Sequence, residues 1–327
     1  MKRLTGFLLG ALIFSACDDG DLTFESLNFD DVPVERCAGD TGNLLYKLNG
    51  GEALVVSVGT TASAFDIAFP DNPDLPDALP RSIPINGTTN RVAYQLFNGD
   101  ATDAIYCSPI PPIDPVAVEE WNATSGIINI ITTQVTSENT TDGFEGGTKI
   151  TGYNHNIVFT NINFNKSDGT TQLYPTFDYG SFLRPVKSEL TLPRLFDDEV
   201  AICDDNETVY NIAGNHSMVV VIDSTLLDGT IMDTPRTGTI STTANRFIYS
   251  IYPVGIVVDE NEICSDNTAL SPVQTWLGEG QIEVTTTSGG GTSLSHTIRL
   301  KNVVLRRGNS SFILATDYLL GTLLTAD

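Results

Sequence analysis

Two of the three histidines in this chain are candidates for acid–base catalysis or metal binding. His155 opens the run "HNIVFTNINF" and His296 opens "HTIRLKNVVL", both typical of β-strands. An imidazole there could act as a general base or bind a metal. A hydrogen-bonded histidine on a strand explains the same pattern, and no nucleophile, metalloprotease or phosphate-binding motif accompanies either residue. The sequence therefore predicts neither a catalytic residue nor a metal ligand.

Two pairs of adjacent acids, Asp30-Asp31 and Asp197-Asp198, invite comparison with a glycosidase. Such an enzyme needs two carboxylates facing each other across about 5–9.5 Å. Neighbouring residues on a strand point to opposite faces, so neither pair meets that need. Basic residues are scarce, and we expect four arginines to pair with acids of their own domain, with a site for an acidic ligand as the alternative: Arg81, Arg91, Arg236 and Arg246.

Three short loops are rich in the oxygen ligands that calcium prefers: Asp71–Asp74, Asp204–Glu207 and Asp259–Glu262. None follows the twelve-residue calcium loop with its fixed glycine and terminal glutamate. The sequence therefore predicts no cofactor and leaves calcium open.

The segments that must position these residues occur twice in the chain, as an internal sequence repeat. "FDDVPVERC" (Phe29–Cys37) returns as "FDDEVAIC" (Phe196–Cys203), and "HNIVFTNINF" returns as "HTIRLKNVVL". Further residues recur in the same order, among them Pro80-Arg81 as Pro235-Arg236, Tyr94 as Tyr249, Trp121 as Trp276, and Asp178-Tyr179 as Asp317-Tyr318. The sequence predicts two homologous domains, 24–183 and 195–327, joined by a linker at 184–194.

Four of the five cysteines fall at equivalent places, two in each domain. Four cysteines allow three pairings, and the duplication selects the one in which each copy closes its own loop: Cys37 with Cys107, and Cys203 with Cys264. A metal site is the rival use, but no close Cys-x-x-Cys and no histidine cluster supports it.

Secondary-structure signals are almost all β. Short runs rich in valine, isoleucine, threonine and aromatic residues alternate with glycine, asparagine, aspartate and proline. In both copies the apolar series slips by one residue within the last long run, which predicts a β-bulge or a sheet crossing at Asn161 and Asn302. We expect an all-β chain of two tandem β-sandwich domains, immunoglobulin-like or related, with Tyr94, Trp121, Tyr249 and Trp276 in their cores.

The start of the chain has the pattern of a secretory signal. Lys2 and Arg3 precede an apolar run at 7–14, which small residues follow up to Cys17. The run is too short for a membrane span, which needs about 20 residues. Phe14-Ser15-Ala16-Cys17 resembles the lipobox of bacterial lipoproteins, although Phe14 stands where leucine is usual. The resemblance implies that 1–16 are removed and that Cys17 carries diacylglycerol and an amide-linked acyl chain such as palmitate.

The acidic residues that follow Cys17 bear on which membrane the protein is anchored to. "DDGD" in the tether 17–23 resembles the export tag of Bacteroidota surface lipoproteins, which implies display on the outer membrane. In enterobacteria an aspartate beside the lipid cysteine instead resembles an inner-membrane retention signal, and a solvated spacer is compatible with both. The formal net charge of −24 argues against nucleic-acid binding and against docking on anionic lipid, so the acyl anchor has to hold the protein.

The sequence thus favours a lipid-anchored envelope protein that acts as a non-enzymatic binding, adhesion or accessory module for a glycan or a protein. Its contacts would lie on loops that differ between the copies, such as Phe69–Pro80 and Ser108–Pro115. A carbohydrate-active enzyme and a purely architectural envelope subunit remain the alternatives.

Overall fold

The chain was analysed as a computed structural model that describes residues 26–37, 44–59, 80–185, 196–265, 270–308 and 310–326 of 327. The signal segment, Cys17 and the tether 17–23 lie outside the described residues. Each copy of the repeat forms its own antiparallel sheet, so the prediction of two all-β domains is confirmed. No helix among the described residues is long and apolar enough to cross a membrane.

The described residues of the first domain form seven strands and one short helix. In its sheet the strands lie in the order β1-β2-β4-β5-β6-β7, and β3 pairs with the second half of β5. Their bounds are β1 Leu44–Asn49, β2 Glu52–Ser57, β3 Arg81–Pro84, β4 Arg91–Phe97, α1 Ala104–Cys107, β5 Ala117–Glu138, β6 Thr148–Asn165 and β7 Thr171–Pro185. β7 thus includes the first two residues of the predicted linker, and 186–195 lie outside the described residues.

The second domain repeats this order as β9-β10-β12-β13-β14, and β11 pairs with β13 as β3 pairs with β5. The short strand β8 is added beside β9. The single strand β7 is replaced by two strands, β15 and β16, which both pair with β14. Their bounds are β8 Ala201–Ile202, β9 Thr208–Ala213, β10 His216–Val221, a 3-10 helix at Ser224–Leu227, β11 Arg236–Ile240, β12 Arg246–Ile251, α2 Glu260–Cys264, β13 Gln274–Gly290, β14 Ser293–Arg307, β15 Ser310–Ile313 and β16 Asp317–Ala326.

The predicted bulges are present at Asn161 and Asn302. Both asparagines have positive φ, 50° and 51°, and the strand register shifts opposite each of them. The facing residues are Gly126 and Gly280, where a Cβ would stand 2.8 and 2.9 Å from the Cα atoms of the opposite strand. Only glycine permits so close an approach. The long strands bend here, and each sheet folds over its own core.

Each core is closed by the aromatic residues that the repeat predicted. Tyr94 and Trp121 have ring centroids 4.7 Å apart in the first domain, and Tyr249 and Trp276 are buried at the same places in the second. The disulfides Cys37–Cys107 and Cys203–Cys264 are formed as predicted. Each one ties the segment before β1, or before its counterpart β9, to the short helix that follows β4, or its counterpart β12.

A buried polar clip also recurs, with different chemistry in the two copies. Lys47 Nζ donates to the carbonyl oxygens of Phe29 and Tyr179 at 2.7 and 2.9 Å. At the same place in the second domain, Asn211 Nδ2 donates to the carbonyl oxygens of Asp197 and Leu320 at 2.7 and 3.1 Å. Each clip joins the segment before the first paired strands to the bulge in the last strand. At a bulge, a backbone carbonyl is left without its usual hydrogen bond to the neighbouring strand.

Candidate functional site

The two matched histidines lie in different sheets, and each forms a hydrogen bond with a threonine of the neighbouring strand in its own sheet. His155 Nδ1 is 2.8 Å from Thr132 Oγ1, and His296 Nδ1 is 2.9 Å from Thr286 Oγ1. His296 Nε2 also lies 2.9 Å from Thr325 Oγ1. Both imidazoles are buried, as the interpretation of hydrogen-bonded strand histidines predicts.

His155 gives the first domain a pH-dependent stability. Burial lowers the pKa of its imidazole from 6.5 to about 4, and the charge of Arg184 adds to the shift. The unfolded chain therefore takes up a proton before the folded one does, and stability is lost as the pH falls from about 6.5 towards 4. We expect this loss to approach about 3 kcal/mol and to disappear in His155→Gln.

Urea unfolding of the wild-type protein and of His155→Gln at pH 7 and pH 4.5 measures this contribution. Carboxylates titrate in both proteins, so the difference between the two pH dependences isolates the histidine. Parallel dependences would contradict the assignment.

The acid pairs and one of the scarce arginines occupy distinct places in the structure. Asp31 has positive φ and occupies a turn, whereas Asp198 lines a cleft described below. Arg236 donates to the carbonyl oxygen of Asp228 and to the hydroxyl of Thr286. In the described part of the second domain, basic residues of β14 that the sequence did not single out also bind carboxylates, as described with the cleft.

Two of the oxygen-rich loops use their carboxylates to cap backbone groups. Asp205 accepts bonds from the backbone N–H groups of Glu207 and Thr208, and Asp259 caps the N-terminus of α2. The third loop, Asp71–Asp74, lies outside the described residues. Across the ranges that the structure describes, no three acids, histidines or cysteines are grouped so as to hold a metal ion.

A loop of the first domain reaches into the second. The segment 139–147, here called the docking loop, joins β5 to β6 and lies against β15 and the start of β16. Phe144 is buried there among core residues of the second domain, with its ring centroid 5.4 Å from that of Tyr318. The hydrophobic core of the second domain is therefore completed by the first.

Polar contacts fix this arrangement. Gln134 Nε2 donates to the carbonyl oxygen of Ser311 at 2.6 Å, and the N–H of Ser311 donates to Gln134 Oε1 at 2.7 Å. Thr316 N donates to the carbonyl oxygen of Glu145 at 2.9 Å. Three hydrogen bonds, one of them between backbone groups, therefore join the two domains at this contact.

The docking loop and the second domain enclose a cleft of about 360 Å³, here called the interdomain cleft. This volume suits a small ligand or part of a larger one. Its walls combine three aromatic rings, four carboxylates and one guanidinium: Phe144, Phe196 and Tyr318; Asp142, Glu145, Asp198 and Asp317; and Arg299.

Charge inside the cleft is partly compensated. Arg299 Nε and Lys301 Nζ each lie 2.7 Å from a carboxylate oxygen of Asp317. The hydrogen bond from Arg299 is the first cause that holds the pKa of Asp317 below its usual value. Backbone N–H groups likewise lower the pKa of Glu145. These two carboxyls are ionised at neutral pH, and they accept hydrogen bonds without supplying a proton.

The loops expected to make contacts differ in what the structure describes. Most of Phe69–Pro80 lies outside the described residues. Ser108–Pro115 is described, and its isoleucines Ile110 and Ile113 are 85% and 90% exposed. The docking loop was not among the segments singled out from the sequence. It differs in length between the copies, "SENTTDGFEGGT" against "SGGGTS", and this difference is the one sequence signal that could have drawn attention to it.

Searches of protein-family models, of curated proteins and of solved structures find no match to this chain.

Proposed function

We propose that this protein is a lipid-anchored lipoprotein of the cell envelope, displayed on the outer membrane, and that it binds a glycan in the interdomain cleft. The observation that carries the binding proposal is the partly exposed ring of Phe196 beside ionised carboxylates on a concave surface between two domains. Phe144 and Tyr318 line the same surface but are buried in the core. Sugar rings stack on aromatic faces, and their hydroxyls donate to carboxylates. Four carboxylates against one guanidinium disfavour an anionic ligand.

A carbohydrate-active enzyme is the competing function. It needs one carboxyl with a raised pKa to act as general acid. The pKa shifts of Asp317 and Glu145 run in the opposite direction, so neither of these two carboxyls has the property that a general acid needs.

Asp198→Asn is expected to weaken glycan binding about tenfold or more, because a hydrogen bond to a charged group contributes about 1.5–3 kcal/mol. Asp31→Asn is the matched control, since Asp31 holds the equivalent position in the first domain, away from the cleft. Glycan arrays and chromogenic glycosides, applied to the chain without its lipid, measure binding and turnover.

Normal binding by Asp198→Asn would remove the cleft from the proposal. Turnover by the wild-type protein that is lost in this variant would replace the binding function with the enzymatic one. Stoichiometric co-purification with one envelope protein, without glycan binding, would support the architectural alternative.

The anchor has its own test. Mass spectrometry of the mature N-terminus is expected to show an acylated Cys17 as the first residue, and Cys17→Ser should move the protein from the membrane fraction to the soluble fraction. An unmodified Cys17 or an intact leader would contradict the anchor.

A further inference from the structure

An exposed apolar segment lies at one end of the first domain. Residues 108–118, here called the proline loop, read "SPIPPIDPVAV" and contain a single charged residue, Asp114. Ile110 and Ile113 are 85% and 90% exposed, and Val116 and Val118 are exposed as well. A run of apolar residues turned to solvent on a chain with a net charge of −24 marks an interaction surface.

Hydrogen bonds hold the proline loop on Asn98, directly after β4 and next to the turn between β1 and β2. Asn98 N donates to the carbonyl oxygen of Val116 at 3.0 Å, and Val116 N donates to Asn98 Oδ1 at 2.8 Å. The neighbouring Phe97 N donates to the carbonyl oxygen of Gly51, which lies in that turn, at 2.8 Å. Four prolines fix φ within residues 108–118, so little conformational freedom remains to be lost on binding.

The chain arrives from Cys17 at this same end. Asn49, the last residue of β1, donates through Nδ2 to the carbonyl oxygen of Asn28 at 2.9 Å. Ser26, where the described chain begins, lines a pocket together with Glu119 and Trp121 at the start of β5. The segment from Cys17 to Ser26 can span at most about 30 Å. The length of this segment therefore limits the distance between the anchor and this end of the domain to about 30 Å.

We propose that the proline loop inserts Ile110 and Ile113 into the bilayer that holds the acyl chains of Cys17. This inference rests on the lipid anchor of the proposed function. The acyl chains supply the affinity, and the loop supplies the orientation. The proline loop and the interdomain cleft lie at opposite ends of β5, which runs from Ala117 beside the proline loop to Glu138 at the docking loop.

Local charge decides the kind of membrane contact. The basic Lys166 lies over the ring of Trp121, whereas the charged residues within and next to the loop along the chain are acidic: Asp100, Asp103, Asp114, Glu119 and Glu120. They gain nothing from anionic headgroups, so the contact depends on apolar insertion. A zwitterionic phosphatidylcholine bilayer is accordingly the appropriate probe.

Tryptophan fluorescence with brominated lipid tests the insertion. Cys17 is the one cysteine outside the two disulfides, so the purified mature chain can be coupled there to a maleimide lipid in phosphatidylcholine nanodiscs. Trp121 and Trp276 are only 2% and 1% exposed and give a low background. Ile113→Trp reports on the proline loop, and Val254→Trp, at a valine 98% exposed in the second domain, is the matched control.

Brominated lipid is expected to quench the added tryptophan of Ile113→Trp several-fold more than that of Val254→Trp. Equal quenching of the two reporters, or none at either, would overturn the insertion. Because the lipid is attached chemically, this result does not depend on acylation in the cell. An unmodified Cys17 in the cellular protein would refute the anchor and leave the geometric result standing, so the two failures are distinguishable.

Discussion

Phe144→Ala is expected to destabilise the second domain by about 3–5 kcal/mol, although residue 144 belongs to the chain of the first. Phe144 is 3% exposed and packs against Tyr318, so alanine would leave a cavity at the edge of the core. Denaturant unfolding gives the loss, and hydrogen exchange locates it. Faster exchange is expected in β15 and β16, with β1 and β2 unchanged.

Thr140→Ala is the control for this experiment, because Thr140 is an exposed residue of the same docking loop. Its effect should stay within about 0.5 kcal/mol. If Phe144→Ala loosened the first domain alone, or changed stability no more than the control, the docking loop would not be part of the second core.

Removing the disulfide of the second domain, in Cys203→Ser/Cys264→Ser, is expected to cost about 4 kcal/mol of unfolding free energy. The bond closes a loop whose ends are 61 residues apart, and opening it frees that loop in the unfolded chain. The equivalent double variant at Cys37 and Cys107 should cost a similar amount, since its separation is 70 residues.

Both disulfide variants should be made in a Cys17→Ser background, so that no free thiol can exchange with the remaining bond. Urea unfolding of each variant, with and without reductant, gives the contribution of each disulfide. A loss below about 1 kcal/mol in either domain would show that the strands close that loop without the bond.

Much of the fold could be predicted from the repeat. Alternating apolar runs identify strands, and their recurrence in the same order identifies two domains with one cysteine pair each. The one-residue slips at Asn161 and Asn302 located both bulges, because a shift of one residue moves every later side chain to the other face. These features depend on local patterns, which a sequence displays directly.

The interdomain cleft could not be predicted, because it depends on a contact between copies. The docking loop reads as an ordinary hairpin connection until the second domain is present. Its partner site exists because the last strand of the second domain is broken at 314–316, whereas β7 of the first domain runs on through Tyr174. Phe144 fills the space at that break.

One residue pairing between the two copies differs between the sequence comparison and the structure, next to this break. Asp178-Tyr179 was paired with Asp317-Tyr318 by sequence. In the structure Phe177 faces Phe159, and Tyr318 faces Leu300, so Phe177 is the equivalent of Tyr318. The mismatch is two residues, which keeps the same face of the strand and therefore leaves the apolar pattern intact.

The unequal clips at Lys47 and Asn211 have a practical consequence. An amine-reactive reagent cannot reach Lys47 Nζ while it is buried between two carbonyl oxygens, and burial is the first cause that lowers its pKa. Asn211 carries no amine. The rate of acylation at Lys47, measured by peptide mass spectrometry, would therefore report the rate at which the first domain alone opens.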